Sequence, residues 1–227
     1  MLAYREFPTP PHLRRALACV WMRRGSGQVR VLPDACTDIV WRHGEGAVIA
    51  GPDTGAWHSQ TEPGELILGV RFLPGAGGPA LGVPLSQLRD QRIAISAMGL
   101  DPREELSGDG DPRAVPRLLV AAAVRLVAAR PPDAAVQAAV KRLLDPSQRV
   151  EALAADLGFS ERQLRRRFLA SVGYGPKILQ RILRLRRFLA GQRLDLARGA
   201  LDAGYADQPH LARECLRLTG LTPSQLP

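Results

Sequence analysis

GFSERQLRRRFLASVGYGP (Gly158–Pro176) and GYADQPHLARECLRLTGLTP (Gly204–Pro223) are two copies of one pattern. A shift of 47 residues places Leu164 on Leu211, Arg166 on Arg213, Leu169 on Leu216, Gly173 on Gly220 and Pro176 on Pro223. Each copy reads as a short helix, a Gly-aromatic turn, a capped basic second helix, then Gly and Pro. That is the grammar of a helix-turn-helix. Plain helical hairpins would repeat in the same way, but this repeat coincides with the chain's concentration of positive charge.

On a helical wheel at about 100° per residue, Leu164, Phe168 and Val172 form one stripe, spaced to pack on Leu153 and Leu157. Ser160 stands at the N-cap. Arg162 and Arg166 point the other way, one turn apart, flanked by Gln163 and Arg165. Forked donors on the first two turns suit a DNA major groove, where arginine pairs with guanine and glutamine with adenine. Arg165-Arg166-Arg167 also suits phosphate clamping, the role preferred for Arg167, whereas Arg162 and Arg166 are assigned to bases. In the second copy Pro209 stands for Arg162 and Ala212 for Arg165, leaving Gln208, His210 and Arg213 as donors. His210 reads equally well as a solvent-facing histidine. The expectation is an asymmetric reader whose first unit specifies and whose second adds affinity and spacing. Pro176–Gly191 between them predicts a helix of about 24 Å, able to hold recognition helices about 34 Å apart, one DNA turn. Its Arg181, Arg184, Arg186 and Arg187 divide between phosphate contacts and structural roles that sequence does not separate.

Upstream, the helical pattern extends back through Val150–Leu157, Asp133–Leu144 and Arg113–Ala129, with Pro131-Pro132 between the last two. Leu194–Ala203 and Pro209–Thr219 complete the helices, with a last turn from Pro223. The first hundred residues differ: strand-like runs at Gln28–Leu32, Thr37–Arg42, Gly46–Ala50 and Leu66–Leu73 are broken by turn residues, and Pro79–Leu88 reads as a helix. Leu100–Pro112 is the linker candidate. The fold class expected is α+β. A mixed sheet-containing domain over residues 1–100 and a connecting segment over 101–130 precede an all-α domain over 131–227.

Net charge is +9, and residues 150–227 carry 13 Lys/Arg against 7 Asp/Glu, so +6 of it lies in the helical third. That is the footprint of a module for polyanionic DNA. Three widely spaced cysteines argue against a disulfide framework and for a reducing, cytoplasmic setting. The first residues lack a signal-peptide core, and no apolar run reaches the roughly 18 residues of a membrane span. The wealth of Ala, Arg, Gly and Pro points to a GC-rich bacterial genome.

Val150–Pro227 resembles the DNA-binding domain of the AraC/XylS family of transcription regulators. The match runs through Leu153-Ala154, Gly158-Phe159-Ser160, Leu164-x-Arg166-x-Phe168, Gly173-x-x-Pro176, Ala203-Gly204-Tyr205, Leu211-x-Arg213 and Gly220-Leu221-Thr222-Pro223. The resemblance implies two helix-turn-helix units joined by a long helix, with base contacts at Arg162, Arg165, Arg166, Gln208, His210 and Arg213. The wheel ranks Gln163 above Arg165, so both stay as candidates. Gly199 and Cys215 depart from the family, which usually has a branched aliphatic and a Phe there. The resemblance further implies a cytoplasmic bacterial activator without catalytic activity. Its partners would be double-stranded DNA, a small-molecule effector sensed by the N-terminal half, RNA polymerase and a second copy of the chain. The N-terminal half resembles an uncharacterised domain found ahead of such regions, through Leu32–Asp38, Gly51-Pro52-Asp53-Thr54 and Gly69-Val70-Arg71-Phe72.

In that half Asp34, Cys36, Asp38, Trp41, Trp57 and Arg71 form the candidate effector site, with tryptophan walls and a few polar anchors. For any single one of them an ordinary core or turn role is the favoured reading. Cys36, His43 and His58 lack metal-ligand spacing, and neither a metal nor a cofactor is expected. Two other functions stand beside the sensor. One is a DNA-repair alkyltransferase, which would need a zinc-bound cysteine set that this half lacks. The other is a ligand-independent dimeric regulator.

Overall fold

The structure is a computed structural model that describes residues 3–98, 106–191 and 195–226. Thr37–Arg42 alternates buried and half-buried residues, as a strand between two unlike faces must. It is β3 of a six-stranded antiparallel sheet. The others are β1 (Ala3–Pro8), β2 (Leu17–Val31), β4 (Gly46–Ala50), β5 (Trp57–Phe72) and β6 (Arg92–Ala94). Their order is β1-β2-β5-β3-β4-β6. The sequence predicts parts of four of them, but β2 and β5 run much further than expected. Their register jumps from Gly25↔Glu65 to Gly27↔Thr61, so Glu62-Pro63-Gly64 bulges out of the ladder. Proline is tolerated at such a bulge, and the turn-like composition hides one long bent ribbon.

On one face of the sheet, Ile39, Trp41, Val70 and Phe72 are fully buried. They pack with α1 (Gly77–Leu81) and α2 (Val115–Ala129), which contributes Val115, Leu119 and Ala123. Thus α2, read from sequence as a connector, is part of this core. The predicted helix Pro79–Leu88 is two pieces, because Gly82 takes a left-handed cap and Pro84 restarts the chain as a 3-10 turn at Leu85–Gln87. Residues 100–105 of the predicted linker, and residue 194 at the predicted start of the seventh helix, lie outside the described residues.

The helical domain follows as α3 (Ala134–Arg142), α4 (Val150–Asp156), α5 (Glu161–Ser171), α6 (Pro176–Ala190), α7 (Leu196–Asp202) and α8 (Gln208–Thr219). A 3-10 turn at Pro223–Gln225 closes the described chain. Asp133 caps α3 through the amides of Ala135 and Val136. These helices share one core around Leu153, Leu164, Phe168, Leu179, Ile182, Leu185 and Leu211, all fully buried. The α+β architecture is that expected.

The two domains are in direct contact. A Cβ on Gly78 would stand 2.2 Å from the Ala170 carbonyl oxygen, so this close approach requires glycine. Gln137 donates to the Pro74 carbonyl at 3.1 Å. Ala35, from the loop after β2, is buried in the helical core with φ +67°.

Candidate nucleic-acid interface and the sheet cavity

The first unit is α4 and α5. Ser160 and Gln163 form a reciprocal capping box: Gln163 N–H donates to Ser160 Oγ at 3.3 Å, and Gln163 Oε1 accepts from Ser160 N–H at 2.9 Å. Glu161 adds negative charge to the first turn, where the helix dipole favours it. Leu164, Phe168 and Val172 are fully buried, as their stripe requires. The opposite side presents Arg162, Arg165 and Arg166, all exposed. Among the described residues, none of the three has an ion pair or side-chain hydrogen bond. Arg167 differs. Its guanidinium pairs with Asp133 at 2.5 Å and lies 4.6 Å from the Phe159 ring centre, so it braces α5 against α3. Gln163 is likewise partly occupied by its cap.

The second unit is α7 and α8. Asp195 caps α7, and Asp207 caps α8 by accepting from His210 N–H at 2.6 Å. The His210 ring sits edge-on to Tyr205, 5.3 Å between centres, and its Nδ1 accepts from Ala206 N–H. His210 therefore holds the turn together, with one ring nitrogen already engaged. Gln208 and Arg213 are exposed. Gly199 and Cys215 are buried in this unit's core.

Between the units, the four arginines of α6 are all hydrogen-bonded within the chain, Arg186 from an exposed position. Arg181 makes a two-pronged pair with Glu214 of α8 at 2.5 and 3.0 Å. Arg184 donates to the Pro146 carbonyl at 3.4 Å, Arg187 donates to that of Leu144, and Arg186 donates to that of Asp34 at 3.3 Å. No spacing rule distinguishes these arginines from phosphate ligands. Their partners come from loops that only the tertiary fold brings near.

The sheet's second face carries an open-mouthed cavity of about 640 Å³. Cross-strand register puts Trp21, Gly69 and Val40 in one row, with Asp38 and Arg71 paired in the next. Trp21 lies flat over Gly69, where a Cβ would come within 2.4 Å of its ring. Asp34, Asp38, Trp57 and Arg71 all line the cavity, so four of the six candidate effector residues are brought together. Trp41 is not. It is fully buried on the opposite face, donating from its indole to the Ser107 carbonyl at 2.8 Å. Cys36 is also off the wall, buried beneath it with its amide bonded to Asp34 Oδ1. Sequence reasoning missed Tyr4, Glu6, Trp21 and Arg23, because β1 and the first half of β2 were not recognised as strands.

Arg71 is the hub of the cavity. It meets Asp38 in a two-pronged contact at 3.1 and 3.2 Å, Asp34 at 3.2 Å and Glu6 at 3.5 Å. Burial pushes the Asp38 carboxyl up to about 6, against the downward pull of Arg71, while the neighbouring Asp34 charge also raises it. Burial pushes the Cys36 thiol well above its ordinary range, and Cys19 and Cys215 up to about 11. All three thiols are therefore poor nucleophiles at neutral pH.

Residues 153–226 match a family model described as a helix-turn-helix domain, and residues 5–94 match one described as a domain of unknown function, DUF6597. No curated protein matches the chain significantly. Among solved structures, the chain is similar to ToxT from Vibrio cholerae O395, at 10% identity and TM-score 0.48, over 91% of this chain and 95% of that one. Another is unsaturated fatty acid bound wild-type ToxT from Vibrio cholerae strain SCE256, at 11% identity and TM-score 0.45, over 92% and 94%.

Proposed function

We propose that this chain, whose residues 153–226 are a helix-turn-helix domain, is an AraC-type transcription regulator of a bacterial cytoplasm that binds duplex DNA sequence-specifically. The carrying observation is the contrast in arginine engagement. Among the described residues Arg162, Arg165 and Arg166 project without an ion pair or side-chain hydrogen bond from a firmly capped helix, while every arginine of α6 is hydrogen-bonded within the chain. In this reading α5 enters a major groove and supplies most of the base discrimination through Arg162 and Arg166. Arg165 and Arg213 contact bases or the adjoining phosphates. Gln208 and His210, on a helix whose first turn is tied up in its own cap, contribute less. Arg167 supports α5 from behind.

The N-terminal cavity serves as the effector site, with Asp34, Asp38, Trp57 and Arg71 as wall residues and Cys36 beneath them. Buried thiols with raised pKa values speak against a cysteine alkyltransferase. The test is selection of bound duplexes from a randomised pool by the full chain, followed by a salt titration. One enriched motif is expected, with affinity falling about tenfold or more between about 50 and about 200 mM salt. No enrichment, or binding that is flat in salt, would overturn the reading.

A further inference from the structure

Deepening the DNA-binding reading, on which it rests, we propose that the N-terminal domain takes part in holding the duplex: Arg89 contacts a backbone phosphate beside the major groove that α5 enters.

The position of Arg89 follows from how the two domains meet. The 3-10 turn at Leu85–Gln87 packs on the turn between α5 and α6. A Cβ on Gly173 there would stand 2.5 Å from Pro52 and 3.2 Å from the Leu85 carbonyl oxygen. Leu88 is buried in the core of the sheet domain. Asp90 is pinned as well: its amide donates to the Pro52 carbonyl at 3.2 Å, and its carboxylate accepts from the Thr54 amide at 2.6 Å and hydroxyl at 2.9 Å. Arg89 lies between these two anchors and is exposed. A fixed backbone therefore presents its guanidinium next to the recognition helix, and little ordering is left to be done on binding.

The surroundings suit a phosphate. Arg89 lines a groove of about 420 Å³ together with Arg162, Arg165 and Leu169 of α5 and residues 175–178 at the start of α6. Among the described lining residues, Glu161 is the one carboxylate, against Arg89, Arg162, Arg165 and Lys177. Two more carboxylates reach these cations from outside the groove: Glu151 pairs with Lys177 at 3.2 Å, and Asp90 stands 4.0 Å from Arg89. Positive charge stays in excess when both are counted. The Asp90 contact is long, and that carboxylate is already engaged by Thr54. Arg165 runs along Gly175, where a Cβ would lie 3.8 Å from its Cγ and 3.9 Å from its Nε.

Duplex geometry brings a phosphate strand to this place. An α-helix is about 10–12 Å across and the major groove about 12 Å wide, so a helix inside it has a sugar-phosphate strand along each flank. Arg162 and Arg165 also border a second hollow, with Gln163 and Arg166, on the side of α5 assigned to bases. They mark where that side turns into the flank, and Arg89 continues the positive surface beyond them. A phosphate between Arg165 and Arg89 is held from both domains at once. Contacts of this kind fix register and add affinity without reading sequence.

The test uses the full chain and its selected duplex in a methylphosphonate scan, in which each backbone phosphate is made neutral in turn. Arg89→Ala is expected to weaken binding about threefold or more at low salt and to make the slope of log affinity against log salt shallower by about 1, with base preference unchanged. At one or two adjacent linkages, neutralisation should weaken the wild type and leave Arg89→Ala indifferent. Arg89→Lys should restore the slope. Arg24→Ala, which removes an exposed charge outside the groove, should leave it as in the wild type. A wild-type slope and scan for Arg89→Ala, or an equal effect of Arg24→Ala, overturns the proposal. If no motif is selected, sequence-specific recognition is what fails, and the slopes on a random-sequence duplex still decide whether Arg89 meets a phosphate.

Discussion

The two helix-turn-helix units share a backbone plan and differ in what their second helices do with it. In α5 the cap is made by Ser160 and Gln163, one turn of core is filled by Phe168, and three arginines are left over for the surface. In α8 the cap recruits His210 as well as Asp207, the core position is the smaller Cys215, and Arg213 stands where α5 has Arg166. The lesson is that duplicated motifs diverge first in donor economy: a side chain that stabilises a turn has fewer atoms left for a base edge.

That contrast can be broken most forcefully in the cores. Phe168→Ala should lower unfolding free energy by about 3–5 kcal/mol, read from urea transitions, whereas Cys215→Ala should cost about 1 kcal/mol. Equal losses would show the two units to be equally well packed. Next in size is recognition. Arg162→Ala and Arg166→Ala should each cost about 1–3 kcal/mol against the preferred duplex and flatten base preference at one position, with Gln208→Ala and His210→Ala costing less. A reversed ranking would make α8 the reader. Smaller still is the difference between surface and girder arginines. Arg165→Ala should reduce the slope of log affinity against log salt by about 1, while Arg187→Ala, whose partner is the Leu144 carbonyl, should leave it unchanged. Cap loss should be comparable in the two units: Ser160→Ala and Asp207→Ala should each destabilise by about 1 kcal/mol in thermal melts. Only Asp207→Ala should also change the His210 ring signals in an NMR spectrum.

The smallest expected effect lies outside the units and depends on pH. Asp38 titrates near 6 in the folded protein and lower when unfolded, so the folded state holds its proton more tightly. Its contribution is therefore fully present at low pH and is lost as pH rises through about 4 to about 6. The stability difference between wild type and Asp38→Asn should shift in that direction across the window. A difference independent of pH would show that Arg71 fully compensates the burial.

The helical third was legible because its signals are local. Ser160 three residues before Gln163, glycines at helix ends and a stripe such as Leu164, Phe168, Val172 are written within a dozen residues. The arginines of α6 were legible as basic but not as engaged, since Leu144, Pro146, Asp34 and Glu214 reach them only through the fold. The sheet was read in part. Thr37–Arg42, which alternates strictly, and the short apolar run Gly46–Ala50 were found with their ends correct. β2 and β5 were cut short because Gly25-Ser26-Gly27 and Pro63-Gly64 mimic turns, when they are the bulge that bends a paired ribbon. That error concealed half of the cavity wall. Asp34, Asp38, Trp57 and Arg71 were nonetheless found, because polar and aromatic residues inside strand-like runs are conspicuous. Trp41 was misplaced to the cavity because alternation alone does not say which face of a strand the helices will cover.

The inward engagement of α6 has a consequence for how such a protein would travel. Movement along non-specific DNA depends on a smear of loosely held cations that exchange one phosphate for the next. With Arg181, Arg184, Arg186 and Arg187 each hydrogen-bonded to an oxygen of the chain, α6 adds fewer loosely held cations to that smear. A chain of this kind would linger briefly at each wrong site and search more by hopping than by sliding.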